Sequence, residues 1–440
     1  GGDSSEKRCG RGNSCFEHSC MLVPPRPTVC CPAICGPTFR MTGWRYAFLA
    51  GLLGLLPMLL PLTVDGSLPL VSVVPAYFQT STAYVQYSLS AAVLGIALGQ
   101  LVYGPLSDRF GRKPVLIGGI SLYIATAIAC SMAANIEQLN GLRFLQGCFA
   151  CSGIIVARAI IRDLFDREAG ARLFALMMGI HGIMPTIAPF ISGWVTQEYG
   201  WRNVFWVMAG FALFALLSVM FGLSETNKAR TANAVQPSVL FRNYRTILRD
   251  RSFRSYATCA CFMYGALMAY FAGAPVGLIQ YLGLSPVEFG IAMAVPMIFY
   301  MVAQIGVARI APGIGMDRMI LVGVIMAVTA GIGMLVFVTS GIINIYTLMG
   351  PVVLILTSLA FISPGTTAGA MSPFAHMAGA ASSLLGFIQF VAAATATAVI
   401  GVLNDGTPYP MAAVICICTV CALIAYLTLV RRLAHQATTS

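Results

Sequence analysis

Two charged residues stand where a charge is expensive. Asp65 in LTVDGSLP and Arg143 in GLRFLQG each lie inside a long apolar stretch. At the centre of a membrane-length helix such a side chain costs about 2.5–3.5 kcal/mol on insertion scales and marks a functional site by default. Asp65 lies ~12 Å from the end of its apolar segment and Arg143 ~6–9 Å into its own, at about 1.5 Å per residue. At comparable depth the two can face one cavity and exchange partners as Asp65 takes or loses a proton. Burial favours the neutral carboxyl and a nearby cation favours the anion. Proton coupling requires that chemistry. Two blander readings compete with it. One is a fixed Asp–Arg pair that pins two helices. The other sets Asp65 at a partly wet, unwound helix end beside Gly66 and Pro69.

A second constellation falls between two apolar runs. Residues 103–114 read YGPLSDRFGRKP and bring Gly104, Asp108, Arg109, Gly111 and Arg112 into one turn, with Arg162 in a later loop. Basic residues alone would serve as anchors on one membrane face; the acid and the glycines are not explained that way. A third cluster is Gly179, Gly182, Pro185, Pro189 and Gly193. Small residues at near-helical spacing allow tight packing, and prolines break the backbone ladder. His181 in the same stretch reads as a hydrogen-bonded buried histidine before a proton carrier. Met184, Met263, Tyr264 and Phe271 are candidates for an apolar substrate lining. The four histidines, His18, His181, His376 and His435, are too scattered for HExxH. With no GxSxG elbow and no phosphate loop, neither an enzyme nor an ATP-driven pump is expected. No metal and no cofactor is expected, with a proton gradient as the energy source.

The elements that must hold these residues follow from composition. Hydrophobic residues make up 58% of the 440 and charged ones 9%, against about 25% charged in a soluble domain. There are too few ionic side chains to cover a water-facing surface. The net charge of +11 does not imply nucleic acid, because the basic residues lie in short pieces between apolar runs. A span needs ~20 mostly apolar residues. Cutting at charged and turn-rich breaks predicts twelve, at 46–73, 85–106, 114–134, 139–161, 171–195, 202–223, 255–281, 287–308, 317–338, 344–370, 380–402 and 409–430.

The break 224–254 splits the spans six and six, giving an N-terminal half over 41–223 and a C-terminal half over 255–440. Lys and Arg concentrate in alternate loops and in the tail at Arg431 and Arg432, so both termini and the central loop are expected on the cytoplasmic side. Arg202 is the exception. ARIAPGIGMDR at 308–318 repeats basic, Gly and Asp-Arg elements at the matching place in the second half. Six cysteines crowd residues 1–40, without a CxxC; that stretch is expected to be a disordered extension or a misassigned start, with Met41 a plausible beginning. The other eight cysteines sit in apolar segments and are expected unpaired.

Asp65 with Pro69 behind it, the YGPLSDRFGRKP loop, LRFLQG, ARAIIRDLF at 157–165, the two prolines of the fifth span, GWRNVFW, and AGAASSLLGFIQF at 378–390 occur in order. Together they resemble the Bcr/CflA family of bacterial drug-resistance exporters within the major facilitator superfamily, from about Tyr46 to Arg432. The resemblance implies an all-α fold of twelve transmembrane helices in two six-helix halves. It implies proton-driven export of small organic drugs across the inner membrane by a chain expected to act as a monomer. Asp65 and Arg143 take the coupling positions. Asp108 is implied to dock against the start of the eleventh span, near Gly379–Ser382, with Arg109, Arg112 and Arg162 neutralising it and Gly104 allowing close approach. The fifth-span cluster resembles the antiporter signature but lacks its Gly-Pro pair. LLPMLLP in the first span lacks the second acid some relatives carry. A same-fold carrier of a metabolite (amino acid, sugar or nucleoside) is the rival reading, and a transport-dead membrane sensor a more remote one.

Overall fold

The computed structural model describes residues 43–165, 167–227 and 236–430. The expectations for 1–40, for Lys228 and Arg230, and for Arg431 and Arg432 fall outside them. Among the described residues, twelve helices are long and apolar enough to cross a membrane: α1 Ala47–Ser67, α2 Thr82–Phe110, α3 Arg112–Ser131, α4 Ile136–Leu164, α5 Leu176–Tyr199, α6 Arg202–Gly222, α7 Arg251–Tyr281, α8 Pro286–Val307, α9 Met316–Thr339, α10 Ile345–Phe374, α11 Gly379–Leu403 and α12 Tyr409–Val430. No strand occurs among the described residues. Their eight cysteines are all free.

Proline spacing shapes α1. Each proline removes a backbone donor from the helical ladder, and α1 is interrupted by 3-10 turns at Leu56–Met58 and Asp65–Ser67. The chain then runs on helically over Leu70–Phe78, past the expected limit of 73. Asp65 therefore lies about 20 Å inside that end, at ~1.5 Å per residue, deeper than its sequence position suggests. In α5 the helix breaks at Gly182, between Arg167–His181 and Ile183–Tyr199. Pro185 has no N–H for the His181 carbonyl four residues back.

The first half packs α2 on α4 and α3 on α6; the second packs α9 on α10 and α12. The halves meet where α2 lies antiparallel along α11 and α5 along α8. At the end bearing residues 103–114, called here the motif end, Gly104 faces Ser383 and Gln100 lies against Gly386. Midway, Ser90 Oγ donates to the Ala394 carbonyl at 3.3 Å. At the far end, Gln86 Nε2 donates to the Ala272 carbonyl at 3.0 Å, and Gln280 Nε2 reaches Thr82 Oγ1 at 3.4 Å. The α5–α8 contact is backbone on backbone. A β carbon on Gly193 would meet the Pro286 carbonyl, and one on Gly290 would meet Phe190. The far end is thus closed by both contacts, and at the motif end α2 lies against α11.

A helix at Pro237–Arg249 joins the halves. It buries Ile247 against the motif end of the second half and exposes Arg242, Arg245 and Arg249.

Candidate functional site

The first polar site lies in the first half. Arg143 is 1% exposed and Asp65 4%, yet they do not pair. The Arg143 guanidinium donates to the Thr63 carbonyl at 2.7 Å, to Ser67 Oγ at 2.8 Å and to Gln146 Oε1 at 2.6 Å. It also lies 5.9 Å from the Phe205 ring centroid. Arg143 therefore grips the residue two before Asp65 and the residue two after it. The expected shared pair, whether exchanging or fixed, is absent from this conformation, because backbone and hydroxyl acceptors satisfy the guanidinium.

Among the described residues no group donates to the Asp65 carboxylate. It occupies the 3-10 turn, beside Gly66 packed on Met208 and Ser192, and lies within electrostatic reach of Tyr270 in α7. The unwound end foreseen beside Gly66 is present as that turn, but it is buried. Asp65 thus faces the second half, while Arg143 is bound within the first. A small crevice lined by Ser67, Leu70, Ser88, Leu139 and Arg143 among others opens beside Arg143.

The second site is the motif end. Arg112, 3% exposed, donates to Asp108 Oδ1 at 2.6 Å, to Asp163 Oδ2 at 2.8 Å and to Ser107 Oγ at 2.7 Å. Arg162 approaches Asp108 at 3.8 Å. Arg109 instead lies over the Phe110 ring at 5.2 Å. The Asp108 carboxylate is held by these arginines, and the contacts to the first turn of α11 come from other groups. Arg158 Nη1 reaches Ser382 Oγ at 3.4 Å, Arg162 abuts Gly379, and Gly104 faces Ser383.

Glu225, just beyond α6, accepts the backbone N–H of Arg112 at 3.0 Å, of Lys113 at 3.2 Å and of Asn227 at 2.8 Å. It caps the first turn of α3, where an anion is favoured. Asn227 Nδ2 donates to the Asp108 carbonyl at 3.0 Å. Gly111 has φ +105°, and a β carbon there would meet the Glu225 carboxylate at 2.5 Å, so glycine is required twice over. Asp163, Glu225 and Asn227 were missed from the sequence. Asp163 sits inside ARAIIRDLF, and Glu225 is the only acid between 224 and 249; a lone acid in a basic stretch is a usable signal. In the matching loop of the second half, Asp317 accepts from the Tyr256 hydroxyl at 3.1 Å rather than from an arginine.

The remaining predicted residues separate. In α5, Gly193 makes the backbone contact described above, whereas Gly179 has open space and Gly182 touches only its own turn and Met301. Met263 packs with Ile320, Val324 and Ala422 inside the second half. Met184 and Phe271 belong to the main buried core. Tyr264 stands at the seam, its ring 5.8 Å from Phe390 of α11 and within electrostatic reach of Arg158.

Twelve spans in two halves meeting at a seam, with lone buried charges along it, define a secondary-transporter architecture. The sequence profile of the Major Facilitator Superfamily matches residues 53–397, and the chain belongs to that superfamily of membrane transporters. It is 30% identical over 401 residues to the MFS-type transporter YdgK of Bacillus subtilis, covering 90% of this chain and 98% of that protein. It is 25% identical over 380 residues to a bicyclomycin resistance protein homolog of Haemophilus influenzae, covering 86% and 95%. It is 30% identical over 335 residues to the multidrug resistance protein MdtL of Escherichia fergusonii, covering 76% and 83%. Resistance proteins of this kind are the ones its motifs resemble. Among solved structures, a D-xylose-proton symporter shares the fold with a TM-score of 0.70 at 13% identity, covering 86% of this chain and 97% of that one.

Proposed function

We propose that the protein is a proton-coupled antiporter that exports small organic molecules across a bacterial inner membrane, with both termini in the cytoplasm. The halves, 41–223 and 255–440, rock about the seam, and the linker 224–254 restrains the motif end. The observation that carries this reading is Asp65, a carboxylate buried at the seam with no donor. An ionised carboxylate closed into such surroundings is costly, so closure of the halves demands a proton on Asp65. When the far end opens and the proton leaves, Arg143 is the nearby cation to answer the new charge. It already holds Thr63 and Ser67, whose acceptors lie across the helix from Asp65, so reaching the carboxylate takes a rotation of that turn as well as a swing of the side chain. Export of drugs, rather than of a metabolite, is supported by the resistance relatives.

The test is transport in proteoliposomes under an imposed pH gradient, with a panel of phenicols, sulfonamides and bicyclomycin against amino acids, sugars and nucleosides. Gradient-driven movement of drugs alone supports the reading. Movement of a metabolite alone replaces it with the metabolite carrier, and movement of nothing revives the sensor.

A further inference from the structure

A cation in α4 has no anion to answer it. Arg158 lies six residues before Leu164, the end of that span, and among the described residues no carboxylate pairs with it. Its neighbours come from both halves. The guanidinium lies 5.7 Å from the Phe174 ring centroid and reaches Ser382 Oγ of α11 at 3.4 Å. Tyr264 of α7 and His181 of α5 lie within its electrostatic reach. Both Arg158 and His181 are half-buried, and each keeps one atom shut from solvent with no hydrogen-bond partner, Nε of Arg158 and Nδ1 of His181.

The surroundings add positive potential rather than relieving it. The first turn of α11 has no side-chain cap, and Arg162 abuts it at Gly379. Arg162 has Asp108 nearby; Arg158 has no such relief. On the other side the Tyr264 ring stacks edge-on with Phe390, and Tyr300 of α8, also near Tyr264, accepts from Gln304. A guanidinium offers a planar fork that matches a carboxylate. An unanswered charge inside a span, with a free guanidinium N–H beside an aromatic wall, suits an acidic, aromatic guest.

We propose that Arg158, His181 and Tyr264 form the polar pole of the substrate site, and that the preferred substrates are aromatic organic acids. The acid head lies on Arg158, with the His181 ring beside it, and the aromatic ring lies against Tyr264 and Phe390. This rests on the exporter reading and narrows its substrate class. The pole is separate from the proton site: Arg158 is fifteen residues beyond Arg143 on one helix, about 22 Å at ~1.5 Å per residue. Substrate and proton therefore engage different groups.

The test uses the full chain purified in detergent and follows its melting temperature with matched probes, 1-naphthoate against 1-naphthamide. The acid should half-saturate at a concentration at least about tenfold below the amide, the size expected for one charge-assisted contact. Arg158→Gln should erase that preference by weakening the acid at least about tenfold more than the amide, and Arg158→Lys should keep part of it. Should Arg158→Gln fail to fold, Arg158→Lys and Tyr264→Leu carry the test, the latter weakening both probes together. Equal binding of acid and amide, binding of neither, or an acid preference that survives in Arg158→Gln would overturn the proposal. A proteoliposome arm separates this from the exporter reading. Acid-selective binding without gradient-driven transport supports the pole and sinks the exporter. Gradient-driven transport of the amide alone, independent of Arg158, does the reverse.

Discussion

Arg112 and Arg143 are buried to nearly the same degree, 3% and 1% exposed, and their partners differ in kind. Arg112 lies between two carboxylates, Asp108 and Asp163. Arg143 has a carbonyl, a hydroxyl and an amide, with its one acidic neighbour in sequence depth, Asp65, left alone. A cation between two anions has no reason to move. A cation on neutral acceptors, on the same turn as an unpaired acid, gains a partner when that acid ionises and the turn rotates. The motif end is built as a fixed strut, and the centre as a switch.

Removing the strut should have the largest effect. Arg112→Met leaves Asp108 and Asp163 with only the exposed Arg162 near them, at 3.8 and 4.0 Å; because Asp108 is partly exposed, the loss falls at or below the lower end of the about 3–5 kcal/mol typical of a buried pair. The melting temperature in detergent should fall well below that of any other variant described here. A melting temperature within a degree or two of the parent would mean that the motif end is held by packing alone.

Arg143→Gln should be milder on stability and harsher on function. It loses the charge on two bonds, to Thr63 and Ser67, but strands no opposite charge, and the glutamine amide retains an N–H donor for one of those acceptors. Gradient-driven transport should stop while the fold survives. If Arg112→Met and Arg143→Gln lose stability and transport in equal proportion, the contrast between strut and switch collapses.

Gly193→Leu sharpens the comparison from the far end. The Pro286 carbonyl occupies the space a side chain needs, and overpacking of this kind costs about 1–3 kcal/mol. Here the cost falls on the closed seam. A cysteine introduced at the far end, at the position of Thr82, should label faster in this variant. Unchanged labelling would show that the α5–α8 contact does not govern closure.

Much of this was legible in the sequence. Hydropathy fixes where each span lies, and a charge inside an apolar run is conspicuous, so the twelve helices, Asp65 and Arg143 could be found. The partners could not. Arg143 binds a carbonyl of another span, and backbone carbonyls leave no mark in a sequence. The depth of Asp65 was misjudged because the first span was ended at 73, whereas the helix runs on to Phe78. Arg202 looked like an exception to the charge pattern. Its guanidinium donates to the Tyr77 hydroxyl at 2.8 Å and to the Ala133 carbonyl at 2.7 Å, tying the far end together. Arg158 was passed over because a basic residue near a span end reads as an anchor; only its position at the seam, without an acid, sets it apart.

Glu225 offers the smallest effect, read through pH. Burial pushes its carboxyl up, but the amides of Asn227, Arg112, Lys113 and Thr226 outweigh that and hold it below the ordinary value of 4.5. The folded state then binds the proton less readily than the unfolded chain. Its contribution is complete above the ordinary value and fades as pH falls through the lower folded one. Glu225→Gln should lower the melting temperature slightly at neutral pH and flatten its decline in acid. An identical acid decline in both proteins would remove Glu225 from the strut.

The central claim is that Asp65 carries the coupled proton, and the direct measurement compares two modes of transport in Asp65→Asn. In proteoliposomes the variant should exchange labelled for unlabelled substrate across the membrane with no gradient, since the amide imitates the protonated acid and lets the halves close. It should not drive substrate uphill when a pH gradient is imposed. Uphill transport by Asp65→Asn at the parent rate would contradict the account.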